Sequence, residues 1–362
     1  MSKVVVTFGE VMGRFCPAGN LRFAQCMPGN LEITFGGAEA NVAASVSNLG
    51  GRSRFVTALP DNDITKAFLR QFKGLDVDLS RVLVRDAGRF GLYFVETGAN
   101  QRPSNVIYDR EGSTVCITES DCYDWDAIFA DAAWFHVSGI TPAISKEAAA
   151  AALDSVKAAS KNGVTVSCDL NFRKKLWKWD ASFTPRELAE ETMRKMLPFV
   201  DVVIGNEEDA SDVLGITAGS SDVESGKLDV AKYQDVARKI VEQFPNVKKV
   251  AITLRESISA THNNWGAMLF DAKTDKAMFA PESDGEYRAY EIRNIIDRVG
   301  GGDSFSAGLV FALNEGFDNK MAIKFAVASS CLAHSIKGDI NFSNRKEVES
   351  LMNGSGTGRV VR

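Results

Sequence analysis

The chain is poor in the residues that bind metals or form crosslinks. Its six cysteines (Cys16, Cys26, Cys116, Cys122, Cys168, Cys331) are scattered through 362 residues with no CxxC pair. That excludes a ribbon-type zinc site and gives no sign of a disulfide framework, so buried free thiols are expected. Three histidines (His136, His262, His334) lack metal-ligand spacing and read as structural residues. No apolar run reaches the ~18 residues of a membrane span. The opening MSKVVVTFGE has neither the apolar segment nor the cleavage site of a signal peptide, so a cytoplasmic protein is expected. Charge of one sign is also scarce, with 42 basic against 47 acidic residues and a net charge of −5. Neither a nucleic-acid nor a membrane partner is expected, and an anionic ligand must be held by a local cluster of cations and backbone N–H groups. Two nucleotide motifs are missing as well: GxxxxGK followed by Ser or Thr, whose nearest candidate is Gly226 and Lys227, and GxGxxG.

What is present is an alternation of strand and helix patterns. Val4 to Phe8 reads as a buried first strand, Ala38 to Leu49 as a helix, Arg54 to Ala58 as a strand, and Ile64, Phe68 and Phe72 as the buried face of the next helix. From Trp125 the alternation resumes: strands at 134–137, 164–169, 200–204 and 249–254, helices at 144–160, 188–197, 207–214 and 228–244. An antiparallel pair at 266–270 and 277–280 follows, then helices from Asp303 and Lys320 and a short one at 344–352. Between these halves, Val82–Val84, Gly91–Glu96 and Asn105–Tyr108 are short β-type runs. Together with parts of 16–35 they are read as a small inserted sheet that serves as a lid. The expected architecture is α/β with a mostly parallel central sheet covered on both faces. The expected division is an α/β body (1–15, 36–87, 118–352), a β-sheet lid (16–35, 88–117) and a flexible tail (353–362). An open lid has edges that suit a homo-oligomer.

In such sheets ligands bind beyond the carboxyl ends of the strands, which is where the informative residues fall. Gly300, Gly301 and Gly302 run into Asp303 and a helical pattern. Glycines let the backbone approach a ligand, and a helix's first-turn N–H groups favour an anion. An aspartate beside bound phosphate suggests a base that deprotonates an attacking hydroxyl, so the pattern points to phosphoryl transfer. The same residues also read as a tight turn with Asp303 as a helix N-cap. Asp169, Asn171 and Arg173 follow one strand, and Arg173 reads either as a phosphate or carboxylate clamp or as a surface ion pair. Asn206, Glu207 and Asp209 follow another, as a water-mediated Mg²⁺ site or a capped helix start. Tyr108 and Arg110 share a face of the inserted sheet, with Tyr93 on a neighbouring run.

FGGAEANVA, with Gly36, Gly37 and Asn41, and the closing DRVGGGDSFSAG resemble the two signatures of the ribokinase-like (PfkB) carbohydrate kinase family. With FGEVMGRF, NVIYDREGS, DLNFRKKLW, NEED and ITLRES the whole chain resembles 2-keto-3-deoxygluconate kinases. The resemblance implies a three-layer αβα sandwich and ATP-dependent, Mg²⁺-assisted phosphorylation of a small acidic sugar at its terminal hydroxyl. Asp303 would be the general base and Gly300, Gly301 and Gly302 the anion hole. Substrate contacts would fall on Gly36, Gly37, Asn41, Tyr93, Tyr108, Arg110, Arg173, Asp303 and Asp339. Nucleotide contacts would fall on Asn171, Arg173, Asn206, Thr253, Arg255, Gly300 and Gly302, with Glu207 and Asp209 near Mg²⁺ through water. Three departures stand out: Gly301 replaces the family's alanine, NEED ends in Asp209 instead of glutamate, and Gly13 and Arg14 stand where many sugar kinases carry an aspartate. The rival expectations are a kinase for fructose, a nucleoside or 5-dehydro-2-deoxygluconate, and a sugar-sensing protein without catalysis.

Overall fold

The computed structural model describes residues 4–206, 208–217 and 230–354. Residues 1–3, Glu207, the 218–229 stretch and residues 355–362 lie outside it, and with them one expected Mg²⁺ neighbour, the first residues of the helices expected at 207–214 and 228–244, and most of the expected tail.

Val4–Phe8 is buried at every position because both its edges and both its faces are covered, and its one polar side chain, Thr7, donates to the Glu39 carbonyl at 2.9 Å. It pairs in parallel with Arg52–Val56 on one side and Ala132–Ser138 on the other. Successive side chains point to opposite faces, so Val4 and Val6 join one core while Val5 joins the other. The nine-stranded sheet runs Lys276–Ala280, His262–Asp271, Lys249–Ser259, Val202–Asn206, Thr165–Asp169, Ala132–Ser138, Val4–Phe8, Arg52–Val56, with Tyr290–Arg293 also paired to His262–Asp271. The six strands from Lys249–Ser259 to Arg52–Val56 are parallel. Helices Lys146–Lys161 and Pro185–Met196 cover one face. Ala38–Asn48, Gly301–Asn314 and Asn319–Ala333 cover the other. This is the expected three-layer αβα sandwich with a mostly parallel sheet.

The small sheet is separate, in the order Glu32–Gly36, Met12–Cys16, Gly91–Glu96, Asn105–Asp109. Two expectations are corrected here. Met12–Cys16 is a strand of the small sheet, so the body does not extend to residue 15 as one block; the alternation of buried and apolar residues there was too short to separate from the first strand. Val82–Val84 does not join the small sheet: Leu83–Arg85 pairs with Ala58–Pro60. No helix among the described residues is long and apolar enough to cross a membrane.

The strand order turns between Val4–Phe8 and Ala132–Ser138, because the chain steps to Arg52–Val56 on one side and then crosses to the other. A crevice at the carboxyl ends of the strands follows from that switch, and the small sheet stands over it.

Candidate active site

The crevice is a cleft of about 380 Å³ lined by residues from both sheets. On its floor the Gly301–Asn314 helix begins, and the three glycines before Asp303 are there for three different reasons. Gly300 caps the helix at φ +82°, a left-handed conformation, and a Cβ on it would run into the Asp339 carbonyl. A Cβ on Gly301 would stand 2.9 Å from the His334 ring. A Cβ on Gly302 would meet nothing within 4 Å, and this residue lines the cleft. The open face at Gly302, beside the free N–H groups of a first helical turn, is a cradle that fits a phosphate.

Asp303 lies inside that first turn, so it is not the N-cap; the helix begins at Gly301, two residues before the expected start. Asn41 Nδ2 donates to its Oδ2 at 2.7 Å. Loss of water pushes the Asp303 pKa up to about 7; the Asn41 hydrogen bond opposes the shift, Asp339 and Glu39 add to it, and Arg173 opposes it. A carboxyl group poised near neutral pH suits a general base.

The nucleotide-side candidates converge. Asn171, Arg173, Asn206, Thr253, Arg255, Gly300 and Gly302 all line the cleft. Asn171 has φ +37°, an uncommon conformation for a residue with a side chain, held at the site where the chain leaves the Thr165–Asp169 strand. Arg173 and Arg255 have no carboxylate partner among the described residues, so the surface ion pair is not formed. Arg298, which the sequence reading did not single out, joins them, held by the Ala260 carbonyl at 2.6 Å and by Asn263. Burial and the nearby Arg255 lower its pKa, the mark of cations crowded without a counter-ion. Such a site calls for an anion.

Asp209, which also lines the cleft, has a structural duty. Its two carboxylate oxygens accept the backbone N–H groups of Phe172 (3.0 Å) and Asn206 (2.9 Å), while Asn206 Oδ1 accepts from Glu208 and Asp209 N–H. These side chains clamp two loops together. The described residues contain no group of three or more metal-ligating side chains, and the expected place of Asp209 near Mg²⁺ is through water.

At the sugar side, Gly37, Asn41, Tyr93, Tyr108, Arg110 and Asp339 line the cleft, whereas Gly36 does not. A Cβ on Gly36 would overlap the Asp339 carboxylate, so Gly36 makes room for Asp339 instead of contacting a ligand. Gly37 packs against the Glu10 carbonyl in the same way and donates its N–H to Asn41 Oδ1 at 3.2 Å. Asp339 is fully engaged: Oδ1 accepts from Arg14 at 2.6 Å and Oδ2 from the Tyr93 hydroxyl at 2.6 Å. Arg14 also bonds Asp297 at 2.5 Å. Burial works against the Arg14 charge, but Asp339 and Asp297 outweigh it and hold its pKa above the ordinary arginine value. Arg14 is thus not a free receptor for an acidic sugar. Arg110 is also paired, its Nε donating to Glu10 at 2.6 Å.

Glu10, Asp169, Asp297, Arg298 and His334 complete the surroundings. Glu10 stands just after one parallel strand, Asp169 ends another, and Asp297 and Arg298 open the DRVGGGD motif, so their places carried a signal. Nothing local marked His334. Asp169 lines the cleft with a pKa well above the ordinary carboxylate value, from burial first and then from Asp209 and Asp303.

The chain matches the profile described as pfkB family carbohydrate kinase over residues 5–346. A 2-dehydro-3-deoxygalactonokinase of Haloferax volcanii is 28% identical over 358 residues, 99% of each chain. A probable fructokinase-3 of Arabidopsis thaliana is 26% identical over 344 residues, 93% of this chain and 87% of that one. The crystal structure of a 2-dehydro-3-deoxygluconokinase of Thermotoga maritima is 40% identical, with a TM-score of 0.87 over 97% of this chain and 100% of the other. With the family's profile matched along nearly its whole length, the chain belongs to the pfkB family of carbohydrate kinases and is a sugar kinase.

Proposed function

We propose that this kinase transfers the γ-phosphoryl group of ATP to the terminal hydroxyl of 2-keto-3-deoxygluconate, giving 2-keto-3-deoxy-6-phosphogluconate. The observation that carries the reading is Asp303, held by Asn41 in the first turn of a helix whose open glycine face meets a cluster of unpaired arginines. Asp303 takes the proton of the sugar hydroxyl as its oxygen attacks phosphorus in line. The N–H groups of the Gly300–Gly302 turn and Arg173 receive the charge spread over the transferred group. Arg255 and Arg298 hold the remaining phosphates, with Asn171, Asn206 and Thr253 beside them. Mg²⁺ supplies charge neutralisation of the phosphates when bound, and no protein ligand for it is assigned to Asp209.

The acidic sugar is supported by the named relatives of Haloferax and Thermotoga and by Tyr93, Tyr108 and Arg110 on the cleft face of the small sheet. One observation favours a second reading, a kinase for a neutral sugar such as fructose. Arg110 and Arg14 are both neutralised by carboxylates, which leaves Arg173 as the cation nearest the reacting end. A coupled ADP-release assay with 2-keto-3-deoxygluconate, its galactonate epimer, fructose, ribose and 5-dehydro-2-deoxygluconate decides between them. Fastest turnover with a ketodeoxy acid supports the first reading, preference for fructose or ribose supports the second, and silence across the panel leaves a sugar-binding role.

The assembly is a homo-oligomer built through the small sheet. Ile33, Phe15, Phe94 and Ile107 form one cross-strand row on it, with Ile33 and Ile107 exposed and the two phenylalanines stacked at 5.1 Å. Such a row suits a second copy of the chain. Light scattering of the eluted protein tests it, with Phe94→Glu expected to shift the mass to the monomer.

A further inference from the structure

The anion loop is braced by a residue with no place in the proposed chemistry. His334 is buried at the end of the Asn319–Ala333 helix. A Cβ at position 301 would stand 2.9 Å from its Cε1 and 3.2 Å from its Nε2, too close for either to stay in place. The ring is not free to step aside. Its Nδ1 lies 2.7 Å from the Ser330 carbonyl, which can only accept, so Nδ1 is the donor. Its ring centre lies 5.2 Å from that of Trp265, the two rings tilted by 58°, and its own carbonyl accepts the Ile296 N–H at 2.9 Å. Ser330 in turn donates its hydroxyl to the Gly301 carbonyl at 2.6 Å. One helical turn therefore holds Gly301 twice, by ring contact and by hydrogen bond. Burial lowers the His334 pKa, so the ring is a neutral spacer that adds no charge beside the phosphate site.

We propose that His334 is a positioning residue for phosphoryl transfer: its ring and its Ser330 partner fix the Gly301 peptide, and with it the first-turn N–H groups and Asp303 two residues on. Residues 301 and 334 form a complementary pair, in which the imidazole fills the space a side chain at 301 would need. The inference rests on the reading of the glycine turn as the anion hole, and not on which sugar is the substrate.

The test is a mutant cycle on the full chain, assayed with the best sugar of the panel, with a melting curve for every variant. His334→Asn keeps an N–H donor near the Nδ1 position and removes the ring edge that faces Gly301. Gly301→Ala is expected to lose about tenfold or more in kcat, since small misplacements of reacting groups are costly. The KM for the sugar is expected to stay close to wild type. His334→Asn, which loses the ring contact but keeps a donor to the Ser330 carbonyl, should lower kcat about two- to threefold, and adding it to Gly301→Ala should bring kcat up to near the level of His334→Asn alone. A double variant no better than Gly301→Ala overturns the proposal, as does a pair of single variants that change melting temperature but not kcat. If Gly301→Ala fails to fold, His334→Asn against His334→Ala carries the test: kcat falls less in the first than in the second, and equal values overturn it. Asp303→Asn is run alongside. Turnover retained in that variant sinks the reading of the turn itself, whereas a dead Asp303→Asn with no rescue in the cycle sinks only the role of His334.

Discussion

Asn41 and Asp303 are 262 residues apart in sequence and joined by a 2.7 Å hydrogen bond, Nδ2 to Oδ2, that ties the opening turns of two helices together. The other end of the Asn41 amide accepts the Gly37 N–H, so its orientation is fixed and its donor faces the carboxylate. The two family signatures thus meet at one contact. Asn41, expected to touch substrate, holds the carboxylate proposed as the base.

Removing that contact should impair the base without removing it. Asn41→Ala takes away a hydrogen bond that favours the ionised form, so the Asp303 pKa should move further above 7. The acidic limb of the kcat/KM profile is expected to shift up by about one pH unit, with kcat lowered roughly tenfold at neutral pH. A profile that superimposes on wild type would count against the assignment of Asp303 as the base.

Asp303→Asn should lower turnover by ~10² to 10⁴-fold, the usual worth of a general base. Sugar and nucleotide binding, followed by calorimetry, should be largely retained.

The same variant carries a stability prediction with a definite sign. The folded-state pKa of Asp303 is about 7 against an ordinary 3.8, so between these values the folded chain holds a proton that the unfolded chain has lost. Its contribution to stability is fully present below about pH 4 and is lost as pH rises through about 7. Asp303→Asn is therefore expected to melt a few degrees above wild type at pH 8, with a smaller gain at pH 5. Scanning calorimetry at the two pH values checks this.

Arg14 joins the small sheet to Asp297 and Asp339 in the body, and all three are buried. Arg14→Ala leaves two carboxylates buried together without a counter-charge and should cost about 3–5 kcal/mol. Denaturant unfolding measures it, and a loss under ~1 kcal/mol would show that water reaches the cluster.

Arg110→Met separates the two substrate readings. If the cleft takes an acidic sugar, the KM for 2-keto-3-deoxygluconate should rise about 10 to 100-fold, the worth of a charged hydrogen bond, while the KM for ATP stays unchanged. An equal, small effect on acidic and neutral sugars would point to the neutral-sugar kinase.

Much of this was legible in the chain because it is written locally. The alternation of apolar strands and amphipathic helices implied the layered sheet, and burial on both faces explains why all of Val4–Phe8 but Thr7 is apolar. Gly300–Gly302 followed by Asp303 marked the anion turn because backbone freedom, an open Cα and a carboxylate all have to sit within one helical turn. The strand-end positions of Asn171, Arg173, Asn206, Thr253 and Arg255 pointed to the same crevice. Tertiary packing decided what pairing between distant residues controls. Arg14 was visible only as a departure from the family pattern and Arg110 as an expected substrate contact; that carboxylates from residues 297, 339 and 10 stand against them was decided by the fold. Asp209 was expected near Mg²⁺ through water, and only the fold shows that it also joins two loops through their N–H groups. Gly301 looked like one more flexible glycine until the end of a helix some thirty residues later put the His334 ring where its side chain would be. A sequence records which groups are charged or small, but burial and charge neutralisation depend on which distant atoms the fold places beside them.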